Sequence, residues 1–193
     1  PEIRDLVKRI LPIYGVAAVP VDLFRKPYPV SRPEIYRLPT PQREVIALFN
    51  FDREKAIELD WREIGLQGRY EAWEFFEERY CGVIDTAQPC AFPVPFPAAR
   101  LLLLTPVSDV PQVIATSFHI TGGAVELADV HYDASARRLA GELVRPAGDA
   151  GQIFIRVPAG LRCMLPEVAP GVRALALTGT GSPLPWRIEF QRI

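Results

Sequence analysis

The sequence predicts an all-β protein, an antiparallel β-sandwich with a short N-terminal helix and an extended strap. Apolar and polar residues alternate along segments such as 56–61, 152–157 and 186–191, which is the pattern of half-buried strands. Turn sequences such as DREK and AGDAG separate about a dozen such segments, as is typical of sandwiches. Beyond the first residues, no segment of any length has helical spacing. We therefore expect two sandwich-like units.

Residues 1–11 are predicted to form the helix. Their apolar side chains recur at the spacing that places them on one stripe of a helix, and these are Ile3, Leu6, Val7, Ile10 and Leu11. Pro12 ends the pattern, because proline does not continue a helix. A helix this short is marginal alone in water, so it must dock on something. Either it covers part of the downstream domain, or it is the tail of an element whose partners have been cut away.

Residues 12–41 are predicted to form the strap. They contain seven prolines, together with apolar residues that are too frequent for a solvated linker. Because proline favours extended backbone, we expect the segment to run along a surface in polyproline II or β geometry. The helix and the strap make up the first of three predicted regions, residues 1–41.

Two β regions follow the strap, residues 42–106 and residues 107–193. In the first, VIALFNF and RLLLLT are apolar on both faces, as are the central strands of a covered sheet. In the second, the apolar parity of AVELADVHYD switches at Ala128, which predicts a β-bulge. We expect residues 107–193 to pack on the first β region or to complete it.

The composition disfavours several classes of partner. The 193 residues carry 22 basic and 23 acidic side chains, a net charge of −1, so the bulk charge favours neither nucleic acid nor an anionic membrane. No apolar run reaches the length of a membrane span. The chain starts with PEIRDLVKRILP and not with methionine, which indicates a processed or excised piece without an intact signal peptide.

The cysteines bear on the compartment. Cys81, Cys90 and Cys163 make an odd count without a Cys-x-x-Cys motif. A hairpin disulfide between Cys81 and Cys90 is one interpretation, and buried reduced thiols are the favoured one. Together with the missing signal peptide, this favours a cytoplasmic location.

Candidate catalytic groups are few. His119 and His131 could meet across a hairpin, and Asp129 and Asp133 would then be nearby as further metal ligands. Strand histidines at or within a sheet are the favoured interpretation. Ser117 lacks a nucleophile-elbow context, and TGTGSP precedes no helix that could bind phosphate. We predict no catalytic residue, no metal and no cofactor.

A pair of carboxylates would be enough for glycoside hydrolysis. The candidates are Asp52, Asp60, Glu63, Glu71, Glu74, Glu77, Glu78, Glu126 and Asp129. Nearly all are predicted in turns or on the polar faces of strands, where acidic side chains are solvated. No pair among them is distinguished by its sequence context.

Aromatic residues provide the remaining candidate site. Exposed rings stack on the C–H face of a sugar, and the candidates for carbohydrate binding are Tyr70, Trp73, Phe75 and Trp186. Alternation along RYEAWEFFEERY puts Tyr70 on one face of its strand and Trp73 and Phe75 on the other. At least one set must lie in the core of a sandwich, so core packing is favoured over a sugar-binding platform.

The run from Glu44 to Val83, continued by PAARLLLLTP, resembles the C-terminal β-sandwich of glycoside hydrolases of the melibiase (α-galactosidase) type. The shared pattern is a strand ending in Leu-Phe-Asn, an aliphatic-x-aliphatic-x-Trp strand, Gly-Leu, a Tyr-containing strand and a final Ala-Arg-Leu-Leu strand. It falls here on Leu48–Asn50, on Ile57, Leu59 and Trp61, on Gly65 and Leu66, on Tyr70, Trp73 and Phe75, and on Ala99–Pro106. Residues 6–29 look like the exit helix of a catalytic barrel and the strap that follows it.

The resemblance implies a non-catalytic C-terminal accessory domain that packs on a catalytic (β/α)8-type barrel of the same polypeptide. The catalytic aspartates of the family belong to that barrel, so the resemblance assigns no catalytic residue to this chain. Where the family often has tryptophan after the Tyr-containing strand, this chain has Phe75 or Phe76. Two alternatives stay open: a carbohydrate-binding module that uses exposed aromatic residues, and a small independent hydrolase that uses Asp129, His131 and Asp133.

Overall fold

The computed structural model describes residues 3–24, 32–51 and 55–193. Half of the described residues are in strands and 7% are in helices, and the strand pairings among them are antiparallel. This confirms the predicted all-β, sandwich-like fold. The described residues divide into two compact units. The central unit is Gly15–Val107, and the composite unit joins the residues up to Tyr14 to Ser108–Ile193.

The described chain forms two helices and seventeen strands. The helices are α1 (Ile3–Ile10) and α2 (Trp61–Ile64). The strands of the central unit are β1 (Val19–Pro20), β2 (Ile35–Pro39), β3 (Glu44–Asn50), β4 (Lys55–Leu59), β5 (Arg69–Glu74), β6 (Arg79–Asp85), β7 (Cys90–Val94) and β8 (Ala98–Pro106). Those of the composite unit are β9 (Gln112–Thr116), β10 (Leu127–Asp133), β11 (Arg138–Leu143), β12 (Ala150–Arg156), β13 (Leu161–Arg162), β14 (Glu167–Ala169), β15 (Val172–Thr178), β16 (Leu184–Glu189) and β17 (Gln191–Arg192). Neither helix is long and apolar enough to cross a membrane.

The predicted N-terminal helix is confirmed as α1, and it belongs to the composite unit although it precedes the central unit in sequence. Residues 25–31 of the predicted strap lie outside the described residues. On either side of them the strap has β geometry, in β1 and β2. Asp22 fixes its path, because its carboxylate accepts hydrogen bonds from the backbone amides of Glu34 and Ile35 at 3.0 Å.

A six-stranded sheet and a two-stranded ribbon form the central unit. The sheet has the order β1-β2-β3-β8-β5-β6, and the ribbon is β4-β7. VIALFNF and RLLLLT lie on the neighbouring strands β3 and β8 in the interior of the sheet. This is the position that was predicted for them, because they are apolar on both faces. Leu48 and Leu102 of these strands share a core with Leu59 of the ribbon and Ile64 of α2, and this burial of apolar area stabilises the two layers.

The strand of the AIELDW segment ends earlier than its alternation predicts. β4 stops at Leu59, and Trp61 begins α2 instead of extending the strand. The Asp60 carboxylate accepts from the Arg62 amide at 3.0 Å, as an N-cap does. Gly65 ends the helix in the left-handed conformation, with φ of 79°. Trp61 reaches the core of the central unit from a helix, not from a strand.

The strands of the composite unit form two sheets and a two-stranded ribbon. The sheets have the orders β10-β11-β16 and β14-β15-β12-β9, and the ribbon is β13-β17. Leu139 of the first sheet shares a core with Ile153 and Ile155 of the second. The predicted bulge is confirmed, because the register between β10 and β11 shifts between Ala128 and His131.

Replacing Gly141 by alanine tests the packing of the Trp186 ring. The two residues pair across β11 and β16, and a Cβ on Gly141 would come within 2.8 Å of the indole Cζ2 and 3.2 Å of the Ala128 carbonyl oxygen. We expect Gly141→Ala to lower the free energy of unfolding by about 1–3 kcal/mol, as overpacked cores do. Urea unfolding followed by near-UV circular dichroism measures the change.

The matched control is Glu142→Ala, which alters the opposite face of the same strand. We expect its urea midpoint to stay close to that of the unchanged chain. A Gly141→Ala variant that is as stable as this control would contradict the close approach of the indole ring to β11.

Candidate functional site

The aromatic residues predicted to contact carbohydrate do not form one surface. Trp73 and Phe75 are 1% and 0% exposed, and Trp186 is 6% exposed, so core packing, the favoured interpretation, is confirmed for these three. Tyr70 packs half-buried against the core of the central unit, and its hydroxyl donates to the Gln67 carbonyl at 3.1 Å. A sugar stacks only on an exposed aromatic face, and the three buried rings offer none.

A different group of aromatic residues is partly exposed, and the sequence analysis missed it. Tyr36 lies on β2, Phe49 on β3, and Phe51 directly after β3. The rings of Phe49 and Phe51 are parallel with centroids 5.9 Å apart, and Tyr36 meets Phe49 edge-on at 5.6 Å. The alternation of FNF at 49–51 could have predicted that Phe49 and Phe51 share one face. Because Tyr36 stands edge-on, the three rings pack on one another and do not form a flat platform.

The two histidines lie in different environments. His119 is fully buried, whereas His131 is exposed with Nδ1 2.7 Å from the Asp129 carbonyl oxygen. Asp133 caps a turn, since its carboxylate accepts from the amide and the hydroxyl of Ser135, and the hydroxyl bond lowers the pKa of Asp133. Within residues 3–24, 32–51 and 55–193, no group of three or more His, Cys, Asp or Glu side chains is placed to hold a metal ion.

Three of the candidate carboxylates are buried, although the sequence predicted nearly all of them in turns or on solvated faces. Glu71, Glu74 and Glu126 are buried, and they accept hydrogen bonds from a tyrosine hydroxyl, a backbone amide and a threonine hydroxyl respectively. Asp52 lies outside the described residues. A buried carboxylate that accepts such bonds holds its neighbours in position, which is a structural role.

The cysteines are unpaired thiols, which agrees with the favoured interpretation, but they are half-buried and not fully buried. Burial raises the pKa of Cys90 to about 11, and it also raises the pKa of Cys81. Because only the thiolate is a strong nucleophile, neither group is activated for attack near neutral pH.

Alkylation kinetics test the state of Cys90. We expect its reaction with iodoacetamide to be slow near neutral pH and to accelerate as the pH rises toward the raised pKa of about 11, because the thiolate fraction grows there. Peptide mass spectrometry of the folded chain measures the rate, and the same peptide in the urea-unfolded chain is the control. Equal rates for folded and unfolded chain near neutral pH would contradict the raised pKa.

Arg145 binds the C-terminal end of α1 through the helix backbone. It is 6% exposed, and it donates from Nη2 to the Lys8 carbonyl at 3.0 Å and from Nη1 to the Leu11 carbonyl at 3.2 Å. Its Nε donates to the Asp149 carboxylate at 2.6 Å, so the buried guanidinium has a charge partner. The positive charge also faces the negative end of the helix dipole.

His119 binds the same end of α1. Its Nε2 lies 3.0 Å from the carbonyl oxygens of both Ile10 and Pro12. Because a carbonyl oxygen only accepts, Nε2 carries the proton and donates to both. Nδ1 is then an acceptor, and it receives hydrogen bonds from the amide and the hydroxyl of Thr121 at 3.2 and 2.9 Å. The surrounding bonds therefore fix the tautomer of the buried ring.

Every backbone carbonyl from residue 8 to residue 12 is bound in this way. Arg145 and His119 bind four of these carbonyls, and the amide of Ile120 donates to the fifth, the Arg9 carbonyl, at 2.9 Å. A helix leaves its final carbonyls without partners inside the helix, and here Arg145, His119 and Ile120 supply them. We call these three residues the α1 clamp.

The α1 clamp holds the helix with its apolar stripe largely exposed. No residue of α1 is buried, and Ile3 and Ile10 are 81% and 48% exposed. The polar residues Asp5, Lys8 and Arg9 instead line a small cavity together with residues that follow β9. An amphipathic helix on a folded domain normally buries its apolar stripe, whereas the stripe of α1 is left exposed.

A groove of about 1060 Å³ lies between α1 and the segment that follows β11. Apolar residues such as Val7, Leu11 and Val144 line it, and Arg4 and Lys8 are the basic side chains of its α1 wall. Together with the exposed stripe, it forms an apolar surface with a basic margin. Such a surface can accept an apolar ridge of a binding partner.

Removing the Arg145 guanidinium should release the end of α1. We expect Arg145→Ala to lower the free energy of unfolding by about 2–4 kcal/mol, because it leaves Asp149 and two helix carbonyls without this donor. Urea unfolding measures the loss. Hydrogen exchange should show faster exchange at the Ile120 amide, while the amides of β8 in the central unit keep their protection.

The control is Arg162→Ala, since Arg162 is an exposed arginine on β13 of the same unit. It should change neither the urea midpoint nor the exchange of Ile120. Unaltered exchange at Ile120 in the Arg145→Ala variant would show that Arg145 does not hold α1.

Comparison with known proteins assigns no family to the chain, because neither a family model nor a curated protein matches it. The resemblance to melibiase-type sandwiches therefore rests on the residues that carry it.

Proposed function

We propose that the chain is a non-catalytic C-terminal accessory domain of a melibiase-type glycoside hydrolase and that it supports a catalytic barrel in the same polypeptide. The observation that carries the proposal is that side chains that could bind a ligand or take part in catalysis are instead buried or hydrogen-bonded to the backbone. His119 binds the end of α1, Glu74 accepts from a strand amide, and Trp73 is buried. Groups engaged in this way stabilise a scaffold.

The residues that carry the resemblance support the same role. The aliphatic and tryptophan positions of the pattern share one buried core in the central unit, and these are Leu48, Ile57, Leu59, Trp61 and Leu66. Asn50 is also buried, and its Nδ2 donates to the Val94 carbonyl at 2.8 Å. A pattern whose members pack together specifies a fold, so it supports a link to the sandwich of that family and not to a catalytic centre.

A carbohydrate-binding module is the second candidate, and the partly exposed, parallel rings of Phe49 and Phe51 favour it. Half-exposed rings can still contact the C–H face of a sugar. In this candidate they take the role that the sequence analysis gave to Trp73 and Phe75, which are buried.

Titration with sugars separates the candidates. Calorimetry of the folded chain with galactose, α-galactosides and oligosaccharides should give no saturable heat, and aryl α-galactosides should not be hydrolysed. Saturable heat that Phe51→Ala abolishes, with an unchanged near-UV spectrum, would replace the accessory role by the binding module. Hydrolysis that His131→Ala abolishes would overturn both in favour of an independent hydrolase.

Fusion to a barrel tests the support itself. The probe is a melibiase-type catalytic barrel without its own C-terminal sandwich, joined to the N-terminus of the chain. We expect the half-life of its aryl-α-galactosidase activity on heating to rise several-fold, because a docked domain slows unfolding of the barrel. The control fusion carries Arg145→Ala, in which α1 is released. No gain, or the same gain with an unrelated domain, would contradict the proposal.

A further inference from the structure

We propose that α1 and the groove beside it form a docking surface for a partner that presents an apolar ridge flanked by acidic side chains. The proposal deepens the accessory role by naming the surface and the chemistry that it recognises, and it rests on that role only for the identity of the partner domain. The docking surface consists of Ile3, Leu6, Val7, Ile10, Leu11 and Val144, with Arg4 and Lys8 at its margin.

The apolar stripe of α1 is exposed on the composite unit. Ile3 is 81% exposed, although it occupies a position that an amphipathic helix normally buries. A helix of eight residues is not stable alone in water, and α1 stays in place because the clamp binds its backbone. The clamp uses no side chain of the stripe. The stripe therefore remains available to a second body, as contiguous exposed apolar side chains on a folded protein generally are.

The second wall of the groove is held in shape before any partner binds. The segment after β11 is tied to the residues after β15 by backbone hydrogen bonds. The Gly179 amide donates to the Asp149 carbonyl at 2.7 Å, and the Gly181 amide donates to the Arg145 carbonyl at 3.0 Å. Because Arg145 also binds α1, one residue fixes both walls. A preformed groove lowers the ordering entropy that binding must overcome.

Charge selects the chemistry of the partner. The Lys8 ammonium lies 3.9 Å from the Asp5 carboxylate, which offsets part of its charge, and Arg4 adds a second positive charge on the same helix. Arg4 and Lys8 themselves line the groove. A complementary surface must therefore bring acidic side chains beside its apolar ridge. A second copy of the chain would place Arg4 and Lys8 against basic counterparts, and that repulsion disfavours a symmetric dimer through this face.

Two synthetic helical peptides with the same leucine stripe serve as probes. One carries glutamate on both sides of the stripe, and the other carries lysine. Fluorescence anisotropy measures their binding to the full chain. We expect saturable binding of the glutamate peptide, about tenfold or more tighter than that of the lysine peptide. Added salt should weaken the glutamate peptide, because its charged contacts are near the surface.

Serine substitutions remove apolar area from the docking surface without adding charge. Ile3→Ser and Ile10→Ser should each weaken binding of the glutamate peptide by about tenfold. Ile3 lies more than one helix turn from the carbonyls that the clamp binds, so its variant reports on docking even where Ile10→Ser loosens α1. Val168→Ser is the matched control, because Val168 on β14 is 48% exposed, as Ile10 is. It should bind the peptide as the unchanged chain does.

Several results would overturn the proposal. They are the absence of saturable binding of the glutamate peptide, equal binding of both peptides, and binding that Ile3→Ser leaves unaltered. Concentration-dependent self-association of the chain, abolished by Ile3→Ser in sedimentation equilibrium, would make a second copy the occupant and would also overturn it.

The barrel fusion separates this proposal from the accessory role. A stabilised fusion whose gain survives Ile3→Ser would keep the accessory role and remove the docking surface. Peptide binding that Ile3→Ser weakens, together with a fusion that gains no stability, would keep the docking surface and remove the accessory role.

Discussion

The surface of the composite unit depends on the binding of α1 through its backbone. Arg145 and His119 take the carbonyl oxygens at the end of the helix, and these are acceptors that any helix must satisfy. The contact therefore involves none of the apolar side chains of α1. The exposed stripe, the groove and its basic margin exist together only while these hydrogen bonds are formed. A helix bound by its side chains would have buried the same stripe.

Buried polar side chains play a similar part in both units. Asp22 accepts from two backbone amides of the strap, and Asn50 donates to a carbonyl at the end of β7. The chain contains 20 prolines, each without a backbone amide donor, so segments rich in proline cannot be held by ladder hydrogen bonds alone. Asn50 supplies a side-chain donor to the carbonyls of Val94 and Pro95, and Asp22 supplies an acceptor that ties the two ends of the strap together. This use of polar groups explains why residues that could carry chemistry are found holding the backbone.

Part of the candidate site could be predicted from sequence. The apolar stripe of α1 follows from its spacing, and alternation showed that Tyr70 and Trp73 point to opposite faces of their strand. Alternation does not say which face is covered, because that depends on what packs against the sheet. The structure shows that the face of Trp73 and Phe75 is covered, because both side chains are buried. The aromatic group around Phe49 was missed because Tyr36 joins it from a neighbouring strand, and only strand pairing brings the two together.

The local features follow from the sequence alone: the all-β class, the helix over the first residues, the two central strands and the bulge at Ala128. Each follows from spacing and from the backbone preferences of a few adjacent residues. Long-range contacts were needed to show that α1 joins the composite unit and that its stripe is left exposed. Those features depend on contacts such as Arg145 with Leu11 and His119 with Ile10, which are 134 and 109 residues apart in the chain. A residue type states which bonds a side chain can form, but only the path of the chain decides which distant backbone it meets.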